Sequence, residues 1–171
     1  WVEHDLGVGD LFVERDGSRE KRWSLPFTST PLQNGLRDGF IYLRANRHHD
    51  QRIHEMWRSV VLRPQEDVVL RMVALLHPGV RRLAVDWVGP RLHVRTRLED
   101  SEEPVPLSVL GAGVEDVFQL ALSLAHARGG LALVDEFATG VHYLALDDLW
   151  AMVFAEAEAS STQVVATTHS L

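Results

Sequence analysis

The chain contains no cysteine among its 171 residues. Disulfides and thiolate metal sites are therefore excluded, as suits a cytoplasmic protein. Lysine is almost as scarce, with Lys21 the only one. A phosphate-cradling loop of the form G-x-x-x-x-G-K-[ST] needs a lysine that reaches the terminal phosphates and glycines that let backbone amides approach them. Lys21 lies in Gly17-Ser18-Arg19-Glu20-Lys21-Arg22-Trp23, with no glycine just before it and an arginine after it, so this stretch is no such loop. No apolar run approaches the roughly 20 residues that span a bilayer and no signal peptide is visible, which removes a membrane from the expected partners. Positive charge is also in deficit. A net charge of −7 excludes a protein whose whole surface is a nucleic-acid footprint.

What remains is ordinary for a globular domain with a real core, at 46% hydrophobic and 24% charged residues. Asp10 to Glu14 and Arg22 to Phe27 read as a hairpin around Asp16-Gly17-Ser18. Ser24 to Gly39, rich in Thr, Pro, Asn and Gly, reads as a loop, and Phe40 to Leu43 as a short buried strand. From His49 to Leu62, Ile53, Met56, Trp57, Val60 and Val61 form a helical stripe. Pro64 is expected to open a second helix through Val68, Val69, Met72, Val73 and Leu76, stopped at Pro78-Gly79. Val80 to Val88 and Arg91 to Leu98 read as a hairpin around Gly89-Pro90, followed by an acidic connector from Asp100 to Pro106.

The C-terminal part carries the chemistry. One apolar run, Leu131-Ala132-Leu133-Val134, ends in Asp135-Glu136, and a second, Val164-Val165-Ala166, ends in Thr167-Thr168-His169-Ser170. Continuous apolar strands belong to parallel sheets covered on both faces, and ligands bind beyond their carboxyl ends, where Asp135, Glu136 and His169 would stand. Upstream, Gly111-Ala112-Gly113 opens a helix whose inner stripe is Val114, Val117, Phe118, Ala121, Leu124 and Ala125. A helix of about five turns is expected between the acidic pair and the second run.

These motifs together resemble the second half of an ABC-type ATPase domain, of the kind grouped with the SMC-like, RecF-like and overcoming-lysogenization ATPases and often called AAA-family ATP-binding proteins. In that resemblance Leu131 to Glu136 is the Walker B strand, and Gly140-Val141-His142 lies in the D-loop stretch. Ala166 to Ser170 is the switch-histidine loop, and Pro106 to Gly113 is a variant of the signature. The likeness is strong from about Pro104, weaker over Phe40 to Leu98 and absent before that. It implies an α/β, P-loop NTPase-like partial domain: a mostly parallel sheet flanked by helices, with an upstream helical lobe and β-hairpins. Residues 1–103 would carry the upstream strands and lobe, and 104–171 the signature, Walker B and switch-histidine segment of the same domain. The family keeps its P-loop upstream. The start at Trp1 and the stop at Ser170-Leu171 are accordingly expected to be cuts in a longer polypeptide, inactive as an ATP hydrolase by itself.

The resemblance also implies roles. Asp135 would hold Mg²⁺, which takes one or two carboxylates plus phosphate oxygens and keeps several waters; its plainer alternative is a helix cap. Glu136 would polarise the attacking water, against the alternative of a solvated acid, and His169 would sense the γ-phosphate. Gly111 and Gly113 would offer backbone N–H groups at a helix N-terminus to the ATP of an opposite protomer, with Ser108 as the hydroxyl, which implies a homodimer closing on nucleotide through the signature face. The departure of Leu107-Ser108-Val109-Leu110-Gly111 from Leu-Ser-Gly-Gly-Gln leaves the plain loop-to-helix turn as the alternative.

Arg91, His93, Arg95 and Arg97 alternate with Leu92, Val94, Thr96 and Leu98 and fall on one strand face, with Arg81 and Arg82 opening the partner strand. Such a ribbon can meet DNA phosphates or be neutralised by Glu99 to Glu103. His48, His49, Asp50 and His54 fit a wet helix start better than a metal site. Three functional readings follow. They are an ATPase in DNA repair or phage defence, the same ATPase serving a nuclease domain or subunit outside this chain, and a non-catalytic interaction module that keeps the fold.

Overall fold

The computed structural model of the chain describes residues 4–5, 8–15, 18–26, 40–43, 49–137 and 140–168. It divides into two units, Trp1–Arg37 and Asp38–Leu171. In the first, β1 (His4–Asp5), β2 (Val8–Arg15) and β3 (Ser18–Pro26) form an antiparallel sheet in that order. The expected hairpin is present and longer than its apolar pattern, because the ladder continues through charged positions from Val8↔Pro26 to Arg15↔Ser18. Ser18 is thereby a strand residue, while Asp16, Gly17 and residues 27–39 lie outside the described residues.

The second unit begins with β4 (Phe40–Leu43), α1 (Asp50–Leu62) and α2 (Glu66–Leu76). The Pro64 expectation is corrected here, since α2 starts at Glu66. The N–H groups of Arg63 and Gln65 both return to the Val60 carbonyl, so Pro64 belongs to the turn that finishes α1. Next come β5 (Val80–Val88) and β6 (Arg91–Leu98), paired down to Val88↔Arg91. Gly89 takes φ +60 in the two-residue turn with Pro90, which supplies the positive φ that such hairpin loops require. β7 (Val105–Pro106) adds to β6, and a 3-10 turn, Leu107–Leu110, leads to α3 (Ala112–His126). β8 (Leu131–Val134), a 3-10 turn at Tyr143–Ala145, α4 (Leu146–Ser160) and β9 (Gln163–Ala166) complete the unit. At 15 residues α4 makes about four turns rather than five.

β4, β8 and β9 form a parallel sheet in the order β4-β8-β9, the α/β arrangement that the apolar runs imply. Its register aligns Ile41 with Ala132 and Val164, and Leu43 with Val134 and Ala166. This face is turned to the core, with Ile41, Leu43, Ala132 and Val134 all buried. The opposite face carries Tyr42, Leu133 and Val165, of which Tyr42 is 39% and Val165 37% exposed. β9 is thus only half-buried, against the expectation of a strand covered on both sides, because the alternation of a strand sends Val165 away from the helices.

α3 lies at the centre, touching α1, α2, α4, β4 and β8. Its expected inner stripe is buried in full, and so are Gln119, Leu120, Leu122 and Ser123. A helix apolar on nearly all sides is stable only with neighbours all round. Each fully buried Phe, Leu or Met side chain in this cluster contributes roughly 1.5–3 kcal/mol. No helix among the described residues is long and apolar enough to cross a membrane.

One close approach links this helix to the loop after β8. A Cβ on Gly113 would overlap the carbonyl oxygen of Gly140, and one on Gly140 would come within 2.6 Å of Asp116 Oδ2 and 3.2 Å of Gly113 Cα. Gly113 therefore lies inside the first turn of α3 rather than before the helix, and backbone packs on backbone there. Gly113→Ala is expected to destabilise the chain by about 1–3 kcal/mol, the usual cost of forcing atoms into a packed site. Gly79→Ala, where the nearest atoms are the movable His77 ring at 3.4 Å, should be close to neutral. Urea unfolding of the two variants checks this, and equal losses would rule out the close-approach explanation.

Candidate functional site

The ladder of the parallel sheet runs one residue past its strands. Asp135 N–H donates to the Leu43 carbonyl at 2.9 Å and Thr167 N–H to the Val134 carbonyl at 2.9 Å. This brings the acidic pair and the end of β9 side by side, at the carboxyl edge where the sequence places it. Asp135 and Glu136 are half-buried. Thr167 Oγ1 donates to Asp135 Oδ1 at 2.8 Å and accepts from the Glu136 N–H at 2.9 Å. The Phe137 N–H then donates to the Thr167 carbonyl at 2.7 Å. Glu136 adopts φ +59, a left-handed conformation that few residues other than glycine take. Phe137, buried behind it, stacks on Trp150 of α4 at a ring separation of 3.8 Å, and Trp150 stacks on Phe154 at 5.5 Å. The turn is held at its start by the sheet and at its end by this aromatic anchor.

Asp135 suits a hard cation by its chemistry. Among the described residues no group of three His, Cys, Asp or Glu side chains could hold a metal ion. A Mg²⁺ ion at this edge would accordingly be held by Asp135 and completed by phosphate oxygens and water, which is the usual Mg²⁺ arrangement. His169 lies outside the described residues, which end at Thr168.

Ser108, Gly111 and Gly113 gather at the start of α3. Gly111 takes φ +107 and ψ 158, and its N–H donates to the Ser108 carbonyl at 3.2 Å. That backbone region belongs essentially to glycine. No atom lies within 4 Å of a Cβ built on Gly111, so the requirement here is conformational, whereas at Gly113 it is steric. Ser108 is exposed and lines a cavity of about 230 Å³ whose walls include Asp50, Glu115 and Asp116 but neither Asp135 nor Glu136. The three carboxylates disfavour a phosphate inside that cavity, which Gly111 does not line. The structure joins the two clusters indirectly, through Gly140, four residues after Glu136 and against Gly113.

The basic ribbon is partly neutralised. Arg95 pairs with Asp86 and Arg81 with Glu99, leaving Arg91 and Arg97 exposed on β6. Glu99 was among the expected counter-charges; Asp86, one strand away, was not. In the histidine-rich stretch Asp50 Oδ2 accepts the Leu92 N–H at 3.3 Å and His54 packs edge-on against Trp87, while His48 lies outside the described residues. Thr167 is the residue that sequence reasoning left without a role, since only the pairing of β8 with β9 sets it beside the carboxylates.

A family model of an AAA domain, described as putative AbiEii toxin, type IV TA system, matches residues 37–171. Solved structures with a related shape include an Smc head bound to the C-terminal winged-helix domain of ScpA, at 13% identity and a TM-score of 0.47. That similarity covers 72% of this chain and 42% of the other. An Smc head with a coiled coil and joint derived from Pyrococcus yayanosii matches at 13% identity and a TM-score of 0.41, over 68% of this chain and 24% of the other. The chain thus spans less than half of either structure, and likeness at this level carries no argument. No curated protein matches in sequence. With the family model extending over most of the chain, including the parallel sheet, α3 and the acidic turn, this chain belongs to the AAA-domain family of putative AbiEii toxins of type IV TA systems.

Proposed function

We propose that this chain supplies the Walker B, signature and switch-histidine parts of an ABC-type ATP hydrolase whose P-loop lies outside it. The observation that carries this reading is the Asp135-Glu136 pair, fixed at the carboxyl end of β8 against Thr167 in a domain of AAA type. Phosphoryl transfer asks little of a protein beyond positioning and charge stabilisation. Asp135 would hold Mg²⁺, which when bound neutralises charge on the phosphates. Glu136 would accept a hydrogen bond from the attacking water and raise its nucleophilicity, and His169 would bond the γ-phosphate. Gly111 and Ser108 would face the ATP of a second copy, so that a homodimer closes on nucleotide, with Gly113 holding the turn against Gly140. The specific RecF-like or overcoming-lysogenization-like kinship, a role in DNA repair or phage defence, DNA on Arg91 and Arg97, a nuclease partner and a cytoplasmic setting all belong to this same proposal. The alternative reading is a non-catalytic interaction module that keeps the fold.

The 171-residue chain alone should show no ATP turnover above background, and turnover abolished by Glu136→Gln would overturn that expectation. In the full-length protein Glu136→Gln keeps shape but removes the charge that polarises water. Hydrolysis should fall at least about 100-fold, as for loss of a general base, while ATP stays bound and an ATP-dependent dimer accumulates in light scattering. Intact hydrolysis in this variant would sink the assignment of Glu136.

Gly111→Ala tests the signature in trans better than any change at Gly113, whose side chain would also disturb the fold. Gly111→Ala should retain ATP binding and lose hydrolysis, at a stability cost of about 1–3 kcal/mol for the strained backbone. Mixed with a P-loop variant of the same protein, it should regain part of the activity, because one composite site then has two intact halves. Mixed dimers without any recovery would leave Gly111 as a structural turn.

A further inference from the structure

We propose that Thr167 is the positioning residue of the acidic pair, its hydroxyl and its carbonyl together fixing the direction of both carboxylates. The proposal rests on the reading of Asp135 and Glu136 as the groups that act on nucleotide.

The hydrogen-bond polarity is forced. A threonine hydroxyl has one hydrogen to donate and two lone pairs. The Glu136 amide can only donate, so Oγ1 must accept there at 2.9 Å. Its own hydrogen is then committed to Asp135 Oδ1 at 2.8 Å. Charge on the carboxylate strengthens that bond, and a chain of two hydrogen bonds in one direction polarises itself further. Asp135 is left with one oxygen anchored and its second oxygen to serve a cation.

The backbone of Thr167 does the rest. Its N–H extends the ladder to Val134 and its carbonyl accepts from Phe137 at 2.7 Å. The amides on both sides of the Glu136 Cα, those of Glu136 and Phe137, therefore end on one residue. The left-handed region is unfavourable for a non-glycine residue, and such a conformation persists when its surroundings over-determine it. At Glu136 those surroundings are Thr167 on one side and the Phe137–Trp150 stack on the other. The φ of +59 decides where the Glu136 side chain leaves the backbone, so Thr167 acts on the proposed base without touching water or phosphate.

The test uses three versions of position 167 in the full-length protein. Thr167→Val removes the hydroxyl while keeping the β-branch, and Thr167→Ser keeps the hydroxyl. With Thr167→Val, kcat should fall about 10- to 100-fold, the usual cost of removing a residue that orients a metal ligand. KM for ATP should stay unchanged, and the Mg²⁺ concentration for half-maximal rate should rise. Thr167→Ser should restore most of both. A second readout needs no nucleotide. Amide hydrogen exchange at Glu136 should quicken in Thr167→Val and not in Thr167→Ser, while the Phe137 amide, bonded to a backbone carbonyl, keeps its protection. Wild-type kcat and Mg²⁺ requirement in Thr167→Val would overturn the proposal, whatever the exchange shows. So would a Thr167→Ser variant as impaired as Thr167→Val. Glu136→Gln measured beside them separates the two levels. If it abolishes hydrolysis and Thr167→Val keeps the wild-type kcat and Mg²⁺ requirement, the positioning role falls and the site reading stands. If Glu136→Gln leaves hydrolysis intact, the site reading falls first and takes the role of Thr167 with it.

Discussion

The burial of α3 is the constraint on which the rest depends. This helix has almost no solvent face, so its sequence can be stable only with α1 and α2 on one side and the parallel sheet and α4 on the others. Satisfying it fixes where β8 runs, and thereby where Asp135 and Glu136 emerge. The Gly113–Gly140 approach then fastens the first turn of α3 to the loop that follows the acidic pair. A core-packing requirement and the geometry of the candidate site are in this way one problem.

The site uses little machinery. The Asp135 carboxylate, one hydroxyl and three backbone groups meet at the edge of two parallel strands, with Glu136 next in the chain. Such an edge suits phosphate chemistry, where fixed dipoles and charges are worth more than reactive side chains. The aromatic series from Phe137 through Trp150 to Phe154 ties the turn to α4, so that the polar edge has an apolar foundation. The electropositive features are weaker. Arg81 and Arg95 are occupied by carboxylates, and surface pairs of this kind contribute little stability but reduce the field available to a phosphate backbone.

Much of the fold was legible because its signals are local. The Gly89-Pro90 hairpin, the stripe of Ile53, Met56 and Val60 and the apolar run of β8 each follow from periodicity within a few residues. The errors arose where a local rule met a competitor. Pro64 has the chemistry of a first helical position, but the Arg63 and Gln65 amides were already bound to the end of α1. Val165 looked buried, and the sheet turns it outward.

By itself the sequence determined the α/β class, the order of the elements and the identity of the acidic residues, since composition and short-range pattern suffice for each. Only the tertiary structure decided which residue stands beside those acids. Thr167 is 32 positions from Asp135 and 31 from Glu136, and no local pattern encodes that pairing. It follows from the register of β8 against β9, which aligns Val134 with Ala166. A slip of β9 by one residue would turn Thr167 to the opposite face, and the packing of Val164 and Ala166 against the core opposes that slip.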